Sequence, residues 1–213
     1  MTGSPADDLR SSYDRLAEAY TQRFADELSQ KPLDRALLGL FVDGVGAASV
    51  VGDVGCGPGH VAEHLRRLGL RPVGVDLSPR MIELARRRFP SVDFAIGSML
   101  SLPVDDGSWA GIVAFYSIIH LTDDELPRAF AEFRRVIRPG GSLLLSFHVG
   151  DDVRHVDEML DQAVSLDFHL LQPAEVLRLL EAEGFAVDMS LVRAPYTAIE
   201  APTQRGYVLA RAS

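Results

Sequence analysis

The stretch Val50-Val51-Gly52-Asp53-Val54-Gly55-Cys56-Gly57-Pro58-Gly59 constrains the fold more than any other part of the chain. An apolar run broken by one acid leads into three glycines at alternate positions, and a helical pattern follows at once. The pattern predicts a buried parallel strand, a tight glycine turn, and a helix whose N-terminus points at a bound ligand. Glycine in such a turn permits positive φ and lets a ligand approach without meeting a Cβ. Pro58 is placed to open the helix, because its missing N–H is no loss in a first turn. Cys56 is the only cysteine, which excludes an internal disulfide. With no base evident beside it, Cys56 reads as a small filler of the turn and not as a nucleophile.

The remainder of the chain repeats the strand–helix alternation. Residues 1–10 carry Gly, Ser, Pro and Asp and are expected to fray. From Ser12 the spacing of Tyr13, Leu16, Ala17, Tyr20, Phe24 and Leu28 predicts an amphipathic helix. A second helix is expected over about 31–41, with Pro32 in its first turn and Gly44 beyond its end. Both precede the first strand, so they are free to form a lid over the sheet edge where ligand binds.

Strands are then expected over about 49–54, 72–76, 92–96, 110–116 and 142–148. The intervening helices run over 58–68, closed by Gly69, and from Ser78-Pro79 to Phe89, stopped by Pro90. A third helix follows the capping box Thr122-Asp123-Asp124-Glu125 and ends at Pro139-Gly140-Gly141. A non-repeating stretch (149–172), a helix (173–183) and an antiparallel strand pair (185–193 and 205–211) complete the chain. The expected fold is α/β: a doubly wound, Rossmann-like seven-stranded sheet, mostly parallel with an antiparallel C-terminal strand. Helices lie on both faces, and an N-terminal helical lid covers one edge. We read 1–213 as one domain: a lid (1–45), a cofactor-binding core (46–148), a substrate-side insert (149–172) and a C-terminal helix with a strand pair (173–213).

Charge narrows the partners. Twenty-one Lys and Arg against 30 Asp and Glu leave a formal charge of −9, which repels phosphate polymers. Arg66-Arg67, Arg86-Arg87-Arg88 and Arg134-Arg135 fall on predicted helices and read as solvated faces, so no nucleic-acid partner is expected. No run approaches the ~18 apolar residues of a membrane span, and the polar N-terminus does not resemble a signal peptide. The expectation is a cytoplasmic protein without a membrane partner.

In an open parallel sheet the ligand sits outside the carboxyl ends of the strands, so strand ends carry the chemistry. Asp76 ends the second strand about twenty residues after the glycines, where a carboxylate can accept both hydroxyls of a ribose. That spacing serves nicotinamide and S-adenosylmethionine enzymes alike. Dinucleotide fingerprints run G-x-G-x-x-G, whereas here the third glycine comes one place early and His60 holds the sixth position. The difference favours a ligand without a pyrophosphate. Tyr116 and His120 end the fourth strand, Tyr116 as a pocket wall and His120 as the candidate base. His148 ends the fifth strand and His155 lies in the insert, and both are candidate substrate contacts together with Tyr116 and His120. His60 and His64 have an i, i+4 spacing that metals use, but no third ligand is placed near them, so no metal is expected.

Asp53-Val54-Gly55-Cys56-Gly57-Pro58-Gly59 resembles the first signature of the class I S-adenosylmethionine (SAM)-dependent methyltransferases. Arg138-Pro139-Gly140-Gly141 before the fifth strand and the closing antiparallel pair resemble the same family. The similarity covers about 13–148 well and the last helix and strands more loosely. It implies that Asp53, Gly55, Cys56, Gly57 and Gly59 hold the methionine half of SAM, and that Asp76 takes the ribose hydroxyls. Leu77 and Met81 would pack the adenine. Ser98 stands where family members often carry an acid, so its hydroxyl or the Met99 backbone would meet the adenine amino group. Tyr13 and Tyr20, with Arg23 or Lys31, would close over the cofactor, and Tyr116 would wall it. The implied activity is methyl transfer to an O, N, S or C atom of a small metabolite, with His120 as base. Two alternatives stay open at this point, a nicotinamide-dinucleotide oxidoreductase and a SAM-binding protein that does not methylate.

Overall fold

A computed structural model describes residues 5–213. The expected fraying over residues 1–10 fails for its second half, because helix α1 already runs from Pro5 to Phe24. Asp7 and Asp8 in its first turn complement the helix dipole there. The part of that expectation falling on residues 1–4 lies outside the described residues. A short 3₁₀ turn, Glu27–Gln30, takes up Leu28 and separates α1 from α2, Pro32–Val45. Helix α2 runs through Gly44 and stops only at Gly46, whose φ of 82° ends it.

The repeating units follow as β1 (Val50–Val54), α3 (His60–Arg67), β2 (Arg71–Asp76), α4 (Pro79–Arg88), β3 (Asp93–Ile96) and β4 (Trp109–Phe115). They continue with α5 (Glu125–Val136), β5 (Ile137–Val149), β6 (Val153–Met159), β7 (Gln162–His169), α6 (Pro173–Ala182), β8 (Phe185–Arg193) and β9 (Gln204–Ala212). The main sheet has seven strands in the order β3-β2-β1-β4-β5-β9-β8. Pairing is parallel from β3 to β5, and β9 runs antiparallel between β5 and β8. The order turns back between β1 and β4, which opens a crevice at the carboxyl ends of the central strands. Along β5 the side chains alternate: Leu143, Leu145 and Phe147 pack with α5 and α6, and Leu144 packs with α2 and α3. That alternation is what a strand covered on both faces requires.

Two expectations are corrected. Pro58 does not open α3; it belongs to the glycine turn, and Gly59, at φ 82°, is the cap before His60. The stretch 149–172 is not irregular, because β6 and β7 form a separate antiparallel hairpin. Met159 pairs with Gln162, leaving Leu160 and Asp161 as a two-residue turn with φ of 53° and 59°. Such turns are signalled by Asn-Gly or Asp-Gly, which Leu-Asp is not. Val164 and Leu166 bury one face of the hairpin against Leu16 of α1. Among the described residues no helix is long and apolar enough to cross a membrane.

Candidate active site

The glycine turn is tied to β2 from two sides. The Gly55 and Cys56 N–H groups donate to the Val75 carbonyl at 2.8 and 3.1 Å. Asp76 then holds the turn by its side chain: Oδ2 accepts the Gly57 N–H at 2.8 Å and Oδ1 accepts the Ser78 N–H at 2.9 Å. A carboxylate has about four lone-pair directions, so both oxygens keep an acceptor site free of these bonds. Burial pushes the Asp76 carboxyl above its usual range, and the backbone N–H groups of Ser78, Gly57 and Leu77 oppose that shift.

The glycines of the turn have different jobs. A Cβ on Gly57 would meet nothing nearer than the Tyr20 ring at 4.0 Å, so this backbone faces open space. A Cβ on Gly59 would strike the Phe94 ring at 2.7 Å and the Ala85 Cβ at 3.1 Å. Gly59 therefore lets helix pack on sheet. Asp53 also works from behind the turn: 2% exposed, it accepts the Ala62 N–H at 2.9 Å inside the first turn of α3. Burial pushes its carboxyl up to about 7. Cys56 is buried beside it, and burial raises its thiol well above the ordinary value.

Tyr13, Tyr20, Gly55, Gly57, Asp76, Leu77, Met81, Ser98, Met99, Tyr116 and His120 line one cavity of about 320 Å³. Asp53, Cys56 and Gly59, expected to hold ligand, do not line it and shape the turn instead. The Ser98 hydroxyl accepts the Leu100 N–H at 3.2 Å, which leaves its own proton available as a donor. Helix α1 is clamped over this end by Asp14, whose Oδ1 accepts the Ser78 hydroxyl at 2.6 Å and the Arg80 N–H at 3.1 Å.

The other end is built where α1, the turn after β4 and the hairpin meet. His120 Nδ1 lies 2.9 Å from the Asp167 carbonyl oxygen, and Nε2 lies 2.6 Å from the Tyr13 hydroxyl. A carbonyl can only accept, so the proton resides on Nδ1 and Nε2 accepts from Tyr13. Burial lowers His120 to about 4, leaving it neutral near pH 7, and raises the Tyr13 phenol. Ser12 pins α1 to the hairpin, its hydroxyl donating to the Ser165 carbonyl at 3.3 Å and accepting the Ser165 N–H at 3.0 Å. Leu9, Arg10, Ser165, Asp167 and His169 join the wall here. Sequence reading missed them, because no motif marks a hairpin with a Leu-Asp turn or a helix starting at Pro5.

His148 and His155, expected at the substrate, are not on the cavity wall. His148 sits behind Tyr116 with ring centroids 5.5 Å apart, and its Nδ1 pairs with Thr203 Oγ1 at 2.7 Å. Burial lowers its imidazole to about 3. His155 lies on the exposed side of the hairpin, 2.7 Å from Asp167 Oδ1 and 3.1 Å from Asp157 Oδ1, and both bonds raise its pKa. His60 pairs through Nε2 with Glu27 Oε1 at 3.2 Å. Among the described residues no group of three or more His, Cys, Asp or Glu side chains is arranged to hold a metal ion.

Tyr116 carries a positive φ of 52°, a costly conformation for a bulky residue, and a buried network holds it there. Its hydroxyl lies 2.9 Å from that of Tyr207, which donates to Asp34 Oδ2 at 3.1 Å. Arg193 grips Glu200 with two bonds of 2.7 and 2.8 Å and lies 3.3 Å from Asp34. Lys31 pairs with Glu27 at 2.7 Å and Glu200 at 3.6 Å. Lys31 thus serves this network, and Arg23 lies against Phe24; neither lines the cavity.

A sheet of this order with a glycine turn and a strand-end acid is the Rossmann-like methyltransferase fold, and solved structures agree. A magnesium protoporphyrin IX methyltransferase from Synechocystis has a TM-score of 0.75 at 13% identity, covering 100% of this chain and 99% of its own. A SAM-dependent methyltransferase from Methanosarcina mazei has a TM-score of 0.73 at 18% identity, covering 81% and 96%. At these identities the likeness defines the fold. Residues 51–141 match the family profile of the methyltransferase domain. The malonyl-[acyl-carrier protein] O-methyltransferase of Serratia marcescens is 32% identical over 138 residues, which are 65% of this chain and 51% of that protein. The chain thus spans about half the length of the curated relatives it matches. Over residues 51–141 it is similar to the methyltransferase domain of SAM-dependent enzymes. That likeness favours SAM over the nicotinamide alternative.

Proposed function

We propose that this protein moves the methyl group of SAM onto an oxygen, nitrogen, sulfur or carbon atom of a small metabolite. The observation that carries the reading is Asp76, a cavity-lining carboxylate at the end of β2 that braces an open glycine turn and keeps acceptor sites for two ribose hydroxyls. The residues present fit SAM. Gly57 leaves space where a Cβ would stand, Leu77, Met81 and Met99 supply an apolar bed for adenine, and the Ser98 hydroxyl, accepting one N–H, keeps a second lone pair for an adenine amino group. Tyr13 and Tyr20 offer aromatic rings, which favour a cation nearby. Asp53, Cys56 and Gly59 support this site by holding the turn in shape.

When bound, SAM supplies a methyl group already activated by a positive sulfur. The protein's task is then proximity and alignment, with a base only where the acceptor must lose a proton. His120, on the cavity wall at the other end and hydrogen-bonded to Tyr13, is the group there that can take up that proton. A small substrate fits a cavity of about 320 Å³ roofed by α1 and the hairpin better than a polymer does. The charge of −9 favours a metabolite over nucleic acid, and we place the protein in the cytoplasm.

Calorimetric titration with SAM, S-adenosylhomocysteine (SAH) and NAD in parallel tests this reading. Micromolar binding of the two sulfur nucleotides is expected. Asp76→Ala should weaken it about 100-fold, the worth of two hydrogen bonds to a charged group. Binding of NAD alone would overturn the proposal.

A further inference from the structure

Tyr13 and His120 stand 107 residues apart in the chain, yet their side chains meet on the cavity wall in a hydrogen bond of 2.6 Å. The bond has a direction. The Asp167 carbonyl claims the Nδ1 proton, so Nε2 is a bare acceptor and Tyr13 must donate to it. The Tyr13 oxygen then keeps its lone pairs for a second donor. The chain's own groups satisfy both imidazole nitrogens, so His120 cannot meet an acceptor substrate directly while this arrangement stands. Tyr13 can.

Resting on the methyltransferase reading above, we propose that Tyr13 and His120 form a two-step proton relay, Tyr13 as the catalytic residue and His120 as the positioning residue behind it, serving a neutral hydroxyl acceptor. The acceptor O–H donates to Tyr13 Oη. As the acceptor oxygen bonds to the methyl carbon, the carbon–sulfur bond breaks and sulfur keeps the electron pair. The acceptor proton passes to Tyr13 Oη, and the former Tyr13 proton passes to His120 Nε2. An imidazolium results, which later loses its proton to water. The relay exists only when α1 is docked, because Tyr13 belongs to α1 and the Asp167 carbonyl to β7.

The electrostatic surroundings select the acceptor class. Tyr13 on α1, Asp167 and His169 on β7, and His148 on β5 are the titratable groups facing His120. Burial leads these influences and keeps the imidazole weakly basic. A weak base cannot strip a proton from an ammonium group, so this relay cannot prepare an amine for attack. It can take the proton of a hydroxyl whose oxygen is becoming an alkylated, strongly acidic oxonium. A carboxylate acceptor has no proton to lose and would not use it.

The test combines ring-nitrogen NMR of labelled histidines in the SAH-bound protein with methyl-transfer assays on a panel of phenols, aliphatic alcohols, primary amines and carboxylates. His120 is expected as the Nδ1–H tautomer, neutral down to pH 5, and Tyr13→Phe should shift its Nε2 resonance. On phenol or alcohol acceptors Tyr13→Phe should lower kcat by about 100-fold, with SAH affinity held within a few-fold. His120→Gln should do the same and move the acid limb of the pH profile. An Nε2–H tautomer, a cationic His120 at pH 6.5, or turnover of amines alone would overturn the relay. Absence of SAH binding would instead sink the methyltransferase reading, so the two failures are distinct.

Discussion

The two ends of the cavity are built in opposite ways. The glycine-turn end comes from neighbouring βα units: Gly55 to Gly59 after β1 and Val75 to Met81 at and after the end of β2, joined by bonds between residues 20 apart or fewer. The acceptor end is assembled from α1, the turn after β4 and the hairpin, through contacts spanning 47 to 153 residues. The first is held locally, the N–H groups of Gly55, Cys56, Gly57 and Gly59 all having partners nearby in the chain. The second depends on docking. The difference teaches where each proposed function would reside: ligand holding in the local geometry at the carboxyl ends of β1 and β2, and acceptor choice in the elements laid over them.

Substitutions within the glycine turn should break the contrast most visibly. Gly59→Ala combines positive-φ strain with overpacking against Phe94 and should cost about 3 kcal/mol of stability in denaturant unfolding. Gly57→Ala meets no clash and should cost only about 1 kcal/mol. Its loss should appear in SAH affinity, at least ~10-fold, where a methyl would crowd the ligand. Equal losses in both assays for both variants would erase the division of labour between the two glycines.

The buried acid behind the turn should appear as a pH effect. Asp53 has its carboxyl raised to about 7 in the folded state, above its unfolded value. Its contribution is therefore fully present below about pH 4 and lost as pH rises through about 7, with a slope of up to ~1.4 kcal/mol per pH unit. Asp53→Asn should flatten that slope relative to the parent while leaving SAH binding intact. Unfolding free energies measured from pH 4 to 8 decide it, and parallel curves for the two proteins would refute the role.

The acceptor end answers to smaller changes. Ser12→Ala removes both bonds to Ser165 and should cost roughly 1 kcal/mol, read as faster amide exchange in β7 and not in β1. In the opposite direction, replacing Leu160-Asp161 by Asn-Gly should stabilise the hairpin by about 1 kcal/mol, because both positions hold positive φ. Exchange rates in β6 and β7 that ignore either change would mean the hairpin is held by something other than its turn and this pin.

These regions also differ in how far they can be read from residues alone. Alternate glycines, an apolar run and an acid twenty places on are local signals, and they led to β1, β2 and Asp76. The sheet was legible for the same reason, most strands being bounded by their own Pro, Gly or capping residue, although β5 begins at Ile137 and runs through the Pro139-Gly140-Gly141 expected to precede it. What pattern could not reveal was direction. Asp53 and Asp76 both stand on strands facing helix starts, yet one caps α3 from inside and the other lines the cavity. His148 was a reasonable substrate contact until Thr203 and Tyr116 enclosed it. The network of Lys31, Asp34, Arg193 and Glu200 left no trace in the sequence, because its members are scattered and ordinary until folding brings them together.

The most direct test of the central claim is a crystal structure of the SAH complex. The ribose hydroxyls should lie within hydrogen-bond distance of both Asp76 oxygens, with the Gly57 N–H bond retained and the sulfur turned towards Tyr13. A nucleoside seated with its ribose away from Asp76, or outside the cavity between α1 and the glycine turn, would contradict the account.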